Sequence, residues 1–119
     1  MKLKVCGLSN SNEVETCVNN KVNFCGFILN YPKSHRYISF EKAKKLLNVN
    51  KFTTQYVGVL VKPSLEELEK FSKLNIDYFQ LYGQYDVKSL MNIKNKFKKK
   101  IITTIQVKNK NDIYSYKQI

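Results

Sequence analysis

The feature that most constrains this chain is an alternation of strand-like and helix-like segments. Short runs of β-branched and aromatic residues, most of them nearly continuously apolar, recur at intervals of roughly 20–30 residues, the length of one βα unit. Five strands are predicted, at residues 3–6, 24–29, 56–61, 78–81 and 101–107. Strands buried on both faces are typical of parallel sheets covered by helices. The order therefore predicts an α/β protein whose parallel strands are joined by right-handed crossovers.

Helix-start signals lie between the predicted strands. Four N-caps are expected, at Asn10, Ser39, Ser64 and Asp86. The first and third of these stand three residues before a glutamate, which is the spacing of a capping box. The third helix has an apolar stripe opposite its charged residues, formed by Leu65, Leu68, Phe71, Ser72 and Leu74. A further helix is expected near residues 111–119.

Two architectures fit this order of elements: a small doubly wound open sheet, and part of a (β/α)8 barrel. A dinucleotide-binding sheet would carry a glycine-rich phosphate loop after its first strand. Here Gly7 stands alone before Leu8, Ser9 and Asn10. This counts against the dinucleotide-binding form of the open sheet.

The charge of the chain is strongly positive but dispersed. The 119 residues include 21 Lys+Arg against 9 Asp+Glu, a formal net charge of +12. The lysines are spread along the chain except for the short run at residues 98–100. We interpret most of this charge as solvated surface that attracts an anionic small molecule, and we expect no nucleic-acid partner.

Cysteine spacing and hydropathy restrict the setting of the protein. The three cysteines, Cys6, Cys17 and Cys25, are odd in number and lack CxxC spacing, so neither a disulfide framework nor a zinc site is indicated. No apolar run is long enough for a bilayer, and the first residues lack the apolar stretch of a secretory signal. A cytoplasmic location without membrane contact is expected.

Four polar residues fall at the predicted carboxyl ends of strands, where parallel barrels carry their sites. Cys6 ends the first strand, Arg36 lies in the loop after the second, and Gln80 and Tyr82 end the fourth. Arg36 is the only arginine of the chain, and its planar fork suits a carboxylate or phosphate better than lysine does. Singly, a buried cysteine, a glutamine on backbone groups and a packed tyrosine are ordinary core residues. Their joint placement favours a site.

These residues stand in motifs that resemble one family. The motifs are Lys-Val-Cys-Gly-Leu at residues 4–8, Pro-Lys-Ser-His-Arg-Tyr at 32–37, Val-Gly-Val-Leu-Val at 57–61 and Gln-Leu-Tyr-Gly at 80–83. In this order and spacing they resemble phosphoribosylanthranilate isomerase along the whole chain.

The resemblance implies a (β/α)8 barrel acting in tryptophan biosynthesis without cofactor or metal. Its substrate is the anionic phosphosugar N-(5-phosphoribosyl)anthranilate, which undergoes an Amadori rearrangement. Cys6 matches the general base that removes the C2′ proton of the Schiff-base intermediate, and Arg36 matches the arginine that holds the anthranilate. Gln80 and Tyr82 are the expected further substrate contacts. A thiolate can act as a base when cations stabilise it, and Arg36 with the general positive field is the expected source.

The sequence departs from the family pattern in two places. Tyr82 stands where the family usually has histidine, so its side chain can hydrogen-bond and stack but carries no charge near neutral pH. The family's general acid is an aspartate at the end of the sixth strand, and its phosphate loops follow strands seven and eight. Asp112 does not match that acid.

We therefore expect residues 1–119 to form the N-terminal part of one barrel domain, with about five βα units. Five strands cannot close a barrel, so its open edges are expected to self-associate, and little or no isomerase activity is expected from this portion alone.

Three alternatives remain open at this stage. Another phosphosugar barrel, such as the indole-glycerol-phosphate synthase branch, would require a catalytic lysine with a glutamate partner, and Lys62 is the only candidate. A basic nucleic-acid-binding module would use clustered lysines with exposed aromatic residues. A catalytically inactive half-barrel would function only after assembly with a second half.

Overall fold

The computed structural model describes residues 1–104 and residue 110. Within residues 1–104, five strands alternate with four helices, in the order β1 (Lys4–Val5), α1 (Ser11–Asn19), β2 (Phe24–Ile28), α2 (Phe40–Leu46), β3 (Gln55–Val61), α3 (Leu65–Ser72), β4 (Tyr78–Tyr82), α4 (Val87–Phe97) and β5 (Lys100–Thr103). All neighbouring strands pair in parallel. The predicted βα alternation is confirmed for these elements.

The strand order decides between the two architectures. The sheet runs β1-β2-β3-β4-β5, so each strand lies beside the one that precedes it. Right-handed crossovers in such an order place every helix on the same face of the sheet. A doubly wound sheet instead reverses its order and carries helices on both faces. The arrangement is that of an open segment of a (β/α)8 barrel.

The strand boundaries differ from the predicted ones by one or two residues. The first strand is shorter than predicted. It ends before Cys6 because the chain turns there, and the backbone N–H groups of Gly7 and Leu8 both donate to the carbonyl oxygen of Gly26. The third strand begins one residue earlier and the fourth ends at Tyr82. The fifth begins at Lys100 and ends at Thr103. Thr104 is described and lies outside the strand. Residues 105–107 of the predicted span, and the helix expected near 111–119 with Asp112, lie outside the described residues.

All four predicted N-caps are confirmed, each by a side chain that accepts a backbone N–H three residues later. Ser64 and Glu67 form a complete capping box. The first helix departs from this pattern, because the carboxylate of Glu13 accepts from Ser9 instead of the N-cap residue Asn10. The predicted stripe of α3 was wrong at Leu65, whose side chain is 64% exposed at the first position of the helix.

The two faces of the sheet bury different residues. One face packs its large side chains against the helices, chiefly Phe27, Tyr56, Leu60, Phe79 and Leu81. The alternate residues form the opposite face, in register rows of Gly26, Val57, Tyr78 and Lys100, then Ile28, Val59, Gln80 and Ile102. We call this opposite face the inner face. It corresponds to the interior of a barrel.

At the amino end of β4, Asp77 links three segments. Its carboxylate accepts from Lys51 Nζ at 2.8 Å and from the backbone N–H of Tyr56 at 2.9 Å. We expect Asp77→Ala to lower the free energy of unfolding by about 1–2 kcal/mol, because the Tyr56 N–H loses its acceptor while the partly exposed ion pair adds little. Urea unfolding measures this, with Glu69→Ala on the exposed side of α3 as control. Equal midpoints for the two variants would contradict it.

Among the described residues, none of the helices combines the length and apolar character needed to cross a membrane.

Candidate active site

The turn after β1 sets the geometry at the carboxyl edge of the sheet. Gly7 has φ +80°, a left-handed conformation that side chains other than glycine adopt with strain. A β-carbon on Gly7 would also lie 3.2 Å from both Cβ and Cγ of Arg36. Glycine is therefore required here for its conformation and for the close approach of the Arg36 stem. This contact brings together the Cys6 turn and the Arg36 loop, which are distant in sequence.

Cys6 lies beside the β2 backbone on the inner face. A β-carbon on Gly26 would lie 3.1 Å from Cys6 Sγ and 3.1 Å from Lys4 Nζ. The absent side chain at Gly26 thus leaves room for both groups. Cys6 itself is exposed, unlike a cysteine that merely fills a core. The alternative that Cys6 is a buried apolar residue was wrong.

The Arg36 loop is fixed by short-range hydrogen bonds. Backbone N–H groups of Ser34 and Tyr37 donate to Tyr31 and Ser34, and the N–H of Arg36 donates to Ser34 Oγ. Beyond the loop, the N–H of Ile38 donates to the carbonyl of Ile28 on β2. The loop therefore holds a definite course over the edge of the sheet.

The guanidinium of Arg36 has a partner that the sequence did not indicate. Arg36 Nη1 lies 3.5 Å from Glu13 Oε2, with side chains 51% and 34% exposed. The N–H of Ser9 donates to the other Glu13 oxygen at 2.8 Å. This hydrogen bond is the main cause that lowers the pKa of Glu13. Desolvation raises the pKa, but the Ser9 hydroxyl and Arg36 lower it further, so the net shift is downward. Glu13 is therefore an ionised group that orients Arg36, whereas its spacing from Asn10 predicted only a capping role.

Gln80 carries a buried acceptor without a donor. Its side chain is 8% exposed, and Oε1 has no hydrogen-bond partner within residues 1–104 and 110. A buried unpaired carbonyl costs roughly 1–3 kcal/mol, so such groups in native sites commonly await a ligand or water. Gln80 lies on the inner face, one register row beyond Gly26 and Tyr78.

Tyr82 ends β4 two residues after Gln80 and is 44% exposed, so the alternative that it is a packed core residue was wrong. Cys6, Gln80 and Tyr82 thus share the inner face, with Arg36 beside Gly7 at its rim. In the part of the chain that the structure describes, no hydrogen bond joins any two of these four residues. The structure therefore places three of these side chains on one face of the sheet and the fourth at the carboxyl edge of that face.

Other candidate groups have structural surroundings. Cys25 is fully buried, and its burial, with Cys17 as a neighbour, raises the pKa of the Cys25 thiol. Lys62, the candidate for the indole-glycerol-phosphate synthase alternative, is exposed with φ +42° and has no salt bridge to a carboxylate among the described residues. Nor do the described residues hold a cluster of three or more side chains suited to a metal.

A depression of about 290 Å³ lies away from this edge. It is lined by Glu15, Val18, Asn19, Val49, Asn50 and Phe52. These residues belong to the last turns of α1 and the segment between α2 and β3, which lead into the amino ends of β2 and β3. Parallel barrels carry their sites at the carboxyl edge, so this depression is not the candidate active site.

Comparison with known proteins gives a consistent family. The family model described as N-(5'phosphoribosyl)anthranilate (PRA) isomerase matches residues 3–119. N-(5'-phosphoribosyl)anthranilate isomerase of Streptococcus gordonii is 40% identical over 93 residues, 77% of this chain and 47% of that protein. The Streptococcus mutans enzyme of that name is 34% identical over 108 residues, 90% of this chain and 53% of that protein.

Solved structures agree with this comparison. Phosphoribosyl anthranilate isomerase from Thermotoga maritima matches with a TM-score of 0.85 and 28% identity, covering 97% of this chain and 55% of that one. A structure of the isomerase with reduced 1-(o-carboxyphenylamino)-1-deoxyribulose 5-phosphate matches with a TM-score of 0.86 and 28% identity, covering 97% and 58%. The chain spans about half the length of the curated relatives it matches.

Proposed function

Because this chain belongs to the N-(5'-phosphoribosyl)anthranilate isomerase family, we propose that it takes part in isomerising N-(5-phosphoribosyl)anthranilate in tryptophan biosynthesis. The product is 1-(2-carboxyphenylamino)-1-deoxyribulose 5-phosphate. The single observation that carries the proposal is the exposed Cys6 thiol beside Gly26, with Arg36 packed on Gly7 at the same edge. Removal of the C2′ proton requires a base, and binding of the anthranilate carboxylate requires an anion-binding group.

Cys6 is the proposed general base. In the Schiff-base intermediate, the C2′–H bond breaks and its proton passes to the Cys6 thiolate. The electron pair of that bond forms the C1′–C2′ double bond, while the π electrons of the C1′=N double bond move to nitrogen and the C1′–N single bond remains. The resulting enol-amine becomes the ketone of the product when C1′ gains a proton and the 2′-hydroxyl loses one. Abstraction by a positioned base contributes about 10²- to 10⁴-fold to rate.

Arg36 is the proposed anthranilate-binding residue. Its planar fork matches the benzoate carboxylate. The Glu13 carboxylate forms a salt bridge with Nη1, one of the two terminal nitrogens of Arg36. Because both side chains of this pair are substantially exposed, the pair adds little to stability. The proposed role of Glu13 is therefore to orient the Arg36 guanidinium before the substrate binds.

Gln80 and Tyr82 are the proposed contacts to the remainder of the substrate. The unpartnered Oε1 of Gln80 accepts a hydrogen bond from an N–H or O–H group of the substrate. The Tyr82 ring offers an exposed aromatic face and a hydroxyl in place of the family's usual histidine.

The general acid and phosphate loops expected for the family have no counterpart within residues 1–104. We therefore propose that this chain supplies the base and the anthranilate side of the site, as part of one (β/α)8 domain, and that its open sheet edges associate with further strands or a second copy. The cysteine spacing is consistent with a cytoplasmic setting.

The proposal is tested by turnover of N-(5-phosphoribosyl)anthranilate, whose anthranilate fluorescence changes on conversion. The chain is assayed alone and with a separately produced C-terminal half of a relative. We expect little turnover from the chain alone and clear turnover from the mixture. The proposal would be overturned if the mixture forms a complex but its turnover does not exceed the turnover of the two halves assayed separately. Absence of a complex on gel filtration would overturn the proposed association.

A further inference from the structure

We propose that Lys4 is a positioning residue that acts through Cys6, holding its side chain as a thiolate on the inner face. This inference rests on the proposed role of Cys6 as base. Lys4 and Cys6 are two residues apart on one extended segment, so their side chains point to the same face. Lys4 pairs in register with Phe24, and Gly26 is the next residue of β2 on that face.

Lys4 Nζ and Cys6 Sγ both lie in the space that the missing side chain of Gly26 leaves free. Lys4 Nζ and Cys6 Sγ each lie 3.1 Å from the point that a β-carbon on Gly26 would occupy. The ammonium nitrogen and the thiol sulfur are thus at most about 6 Å apart, a range within which a cation favours an ionised thiol. Lys4 is also partly buried, so solvent screens its charge less than that of a free surface lysine.

Among the described residues, Lys4 forms no salt bridge that would offset its charge. In residues 1–104 and 110, the salt bridges join Arg36 to Glu13 and Lys51 to Asp77, and none involves Lys4. Arg36 is the other cation near Cys6, but its guanidinium faces the Glu13 carboxylate. We therefore assign stabilisation of the Cys6 thiolate to Lys4 instead of to Arg36, which is the source expected from the sequence.

The field of Lys4 extends through β2. Cys25 lies on the opposite face of that strand, where burial and its neighbour Cys17 raise its pKa. Lys4 acts on Cys25 in the opposite direction, favouring its ionised form across the strand. The other charged groups toward this face are Lys2 over the Phe24 ring, Arg36 with Glu13 at the rim, and Lys100 on β5. β2 contributes Phe24, Gly26 and Ile28 to this face. Lys4 is therefore the group whose removal changes the local charge most.

Alkylation of Cys6 by iodoacetamide tests this inference without requiring isomerase activity, because only the thiolate reacts. The rate at Cys6 is followed at pH 7 by mass spectrometry that separates Cys6 from Cys17. We expect Lys4→Met to slow alkylation by about 5- to 10-fold and to move the half-maximal rate to higher pH. Lys4→Arg should stay within about twofold of the wild type. Lys2→Met, which removes a lysine from above the Phe24 ring, is the matched control and should have no effect.

Cys25 reports whether a variant is folded. It is fully buried, so it stays unreactive in any variant that retains the sheet. Slower Cys6 alkylation with Cys25 protected supports the role of Lys4. Unchanged Cys6 alkylation in Lys4→Met, or equal slowing in Lys2→Met, would overturn it while leaving the proposed isomerase function untouched. If Lys4→Met exposes Cys25, the thiolate role is judged on Lys4→Gln, and an unchanged rate there would overturn it.

Discussion

Replacing Cys6 by alanine should lower turnover in the two-half assay by about 10²- to 10⁴-fold, the contribution of a positioned general base. Binding of reduced 1-(o-carboxyphenylamino)-1-deoxyribulose 5-phosphate should change by less than about twofold, because the thiol acts on a proton that this compound does not surrender. The exposed position of Cys6 and the room left by Gly26 make the substitution structurally mild.

Cys17→Ala is the control for loss of a thiol elsewhere. Cys17 lies in α1 against the helix-side core and should retain wild-type turnover. Turnover of Cys6→Ala within tenfold of the wild type would remove Cys6 from the role of base. Equal losses in both variants would indicate damage to the fold instead of to the chemistry.

Replacing Gly7 by alanine should impair both stability and ligand binding. The left-handed φ of +80° costs a side chain about 1–2 kcal/mol, and the added carbon would lie 3.2 Å from the Arg36 stem. We expect the free energy of unfolding to fall by about that amount, and the dissociation constant of the reduced product to rise about tenfold as Arg36 is displaced. Urea unfolding and calorimetric titration measure the two effects.

A second variant separates conformation from contact. Asparagine tolerates the left-handed region better than alanine but carries the same β-carbon. Gly7→Asn should therefore recover part of the stability and still bind the reduced product weakly. Full recovery of binding in Gly7→Asn would show that the contact between this β-carbon and Arg36 has no bearing on the site.

The sequence predicted the framework of this fold because its signals are local. Apolar runs and cap residues such as Ser64 act within a few positions, and they identified the βα order and all four N-caps. The error at Leu65 has the opposite origin. Periodicity assigned it to the buried stripe, but Leu65 is the first residue of α3 and its side chain is exposed.

The sequence could propose members of the candidate site but not the contacts that they make. Strand ends and motifs led to the proposal of Cys6, Arg36, Gln80 and Tyr82. The pairing of Glu13 with Arg36 joins the first turn of α1 to the loop after β2. The approach of Lys4 to Cys6 depends on the neighbouring strand carrying glycine at position 26. Likewise, the missing partner of Gln80 is visible only once its surroundings are known. Each of these features depends on register or loop packing, which no local pattern encodes.

The central claim is that this chain carries the anthranilate-binding side of an isomerase site, with Arg36 as its anion fork. Calorimetric titration with the reduced product tests it most directly. We expect binding by the wild type, a dissociation constant about 10- to 100-fold higher in Arg36→Ala, and no change in Lys33→Ala, which removes an exposed cation from the same loop. Equal affinities of the wild type and Arg36→Ala, or no binding by the wild type, would contradict the claim.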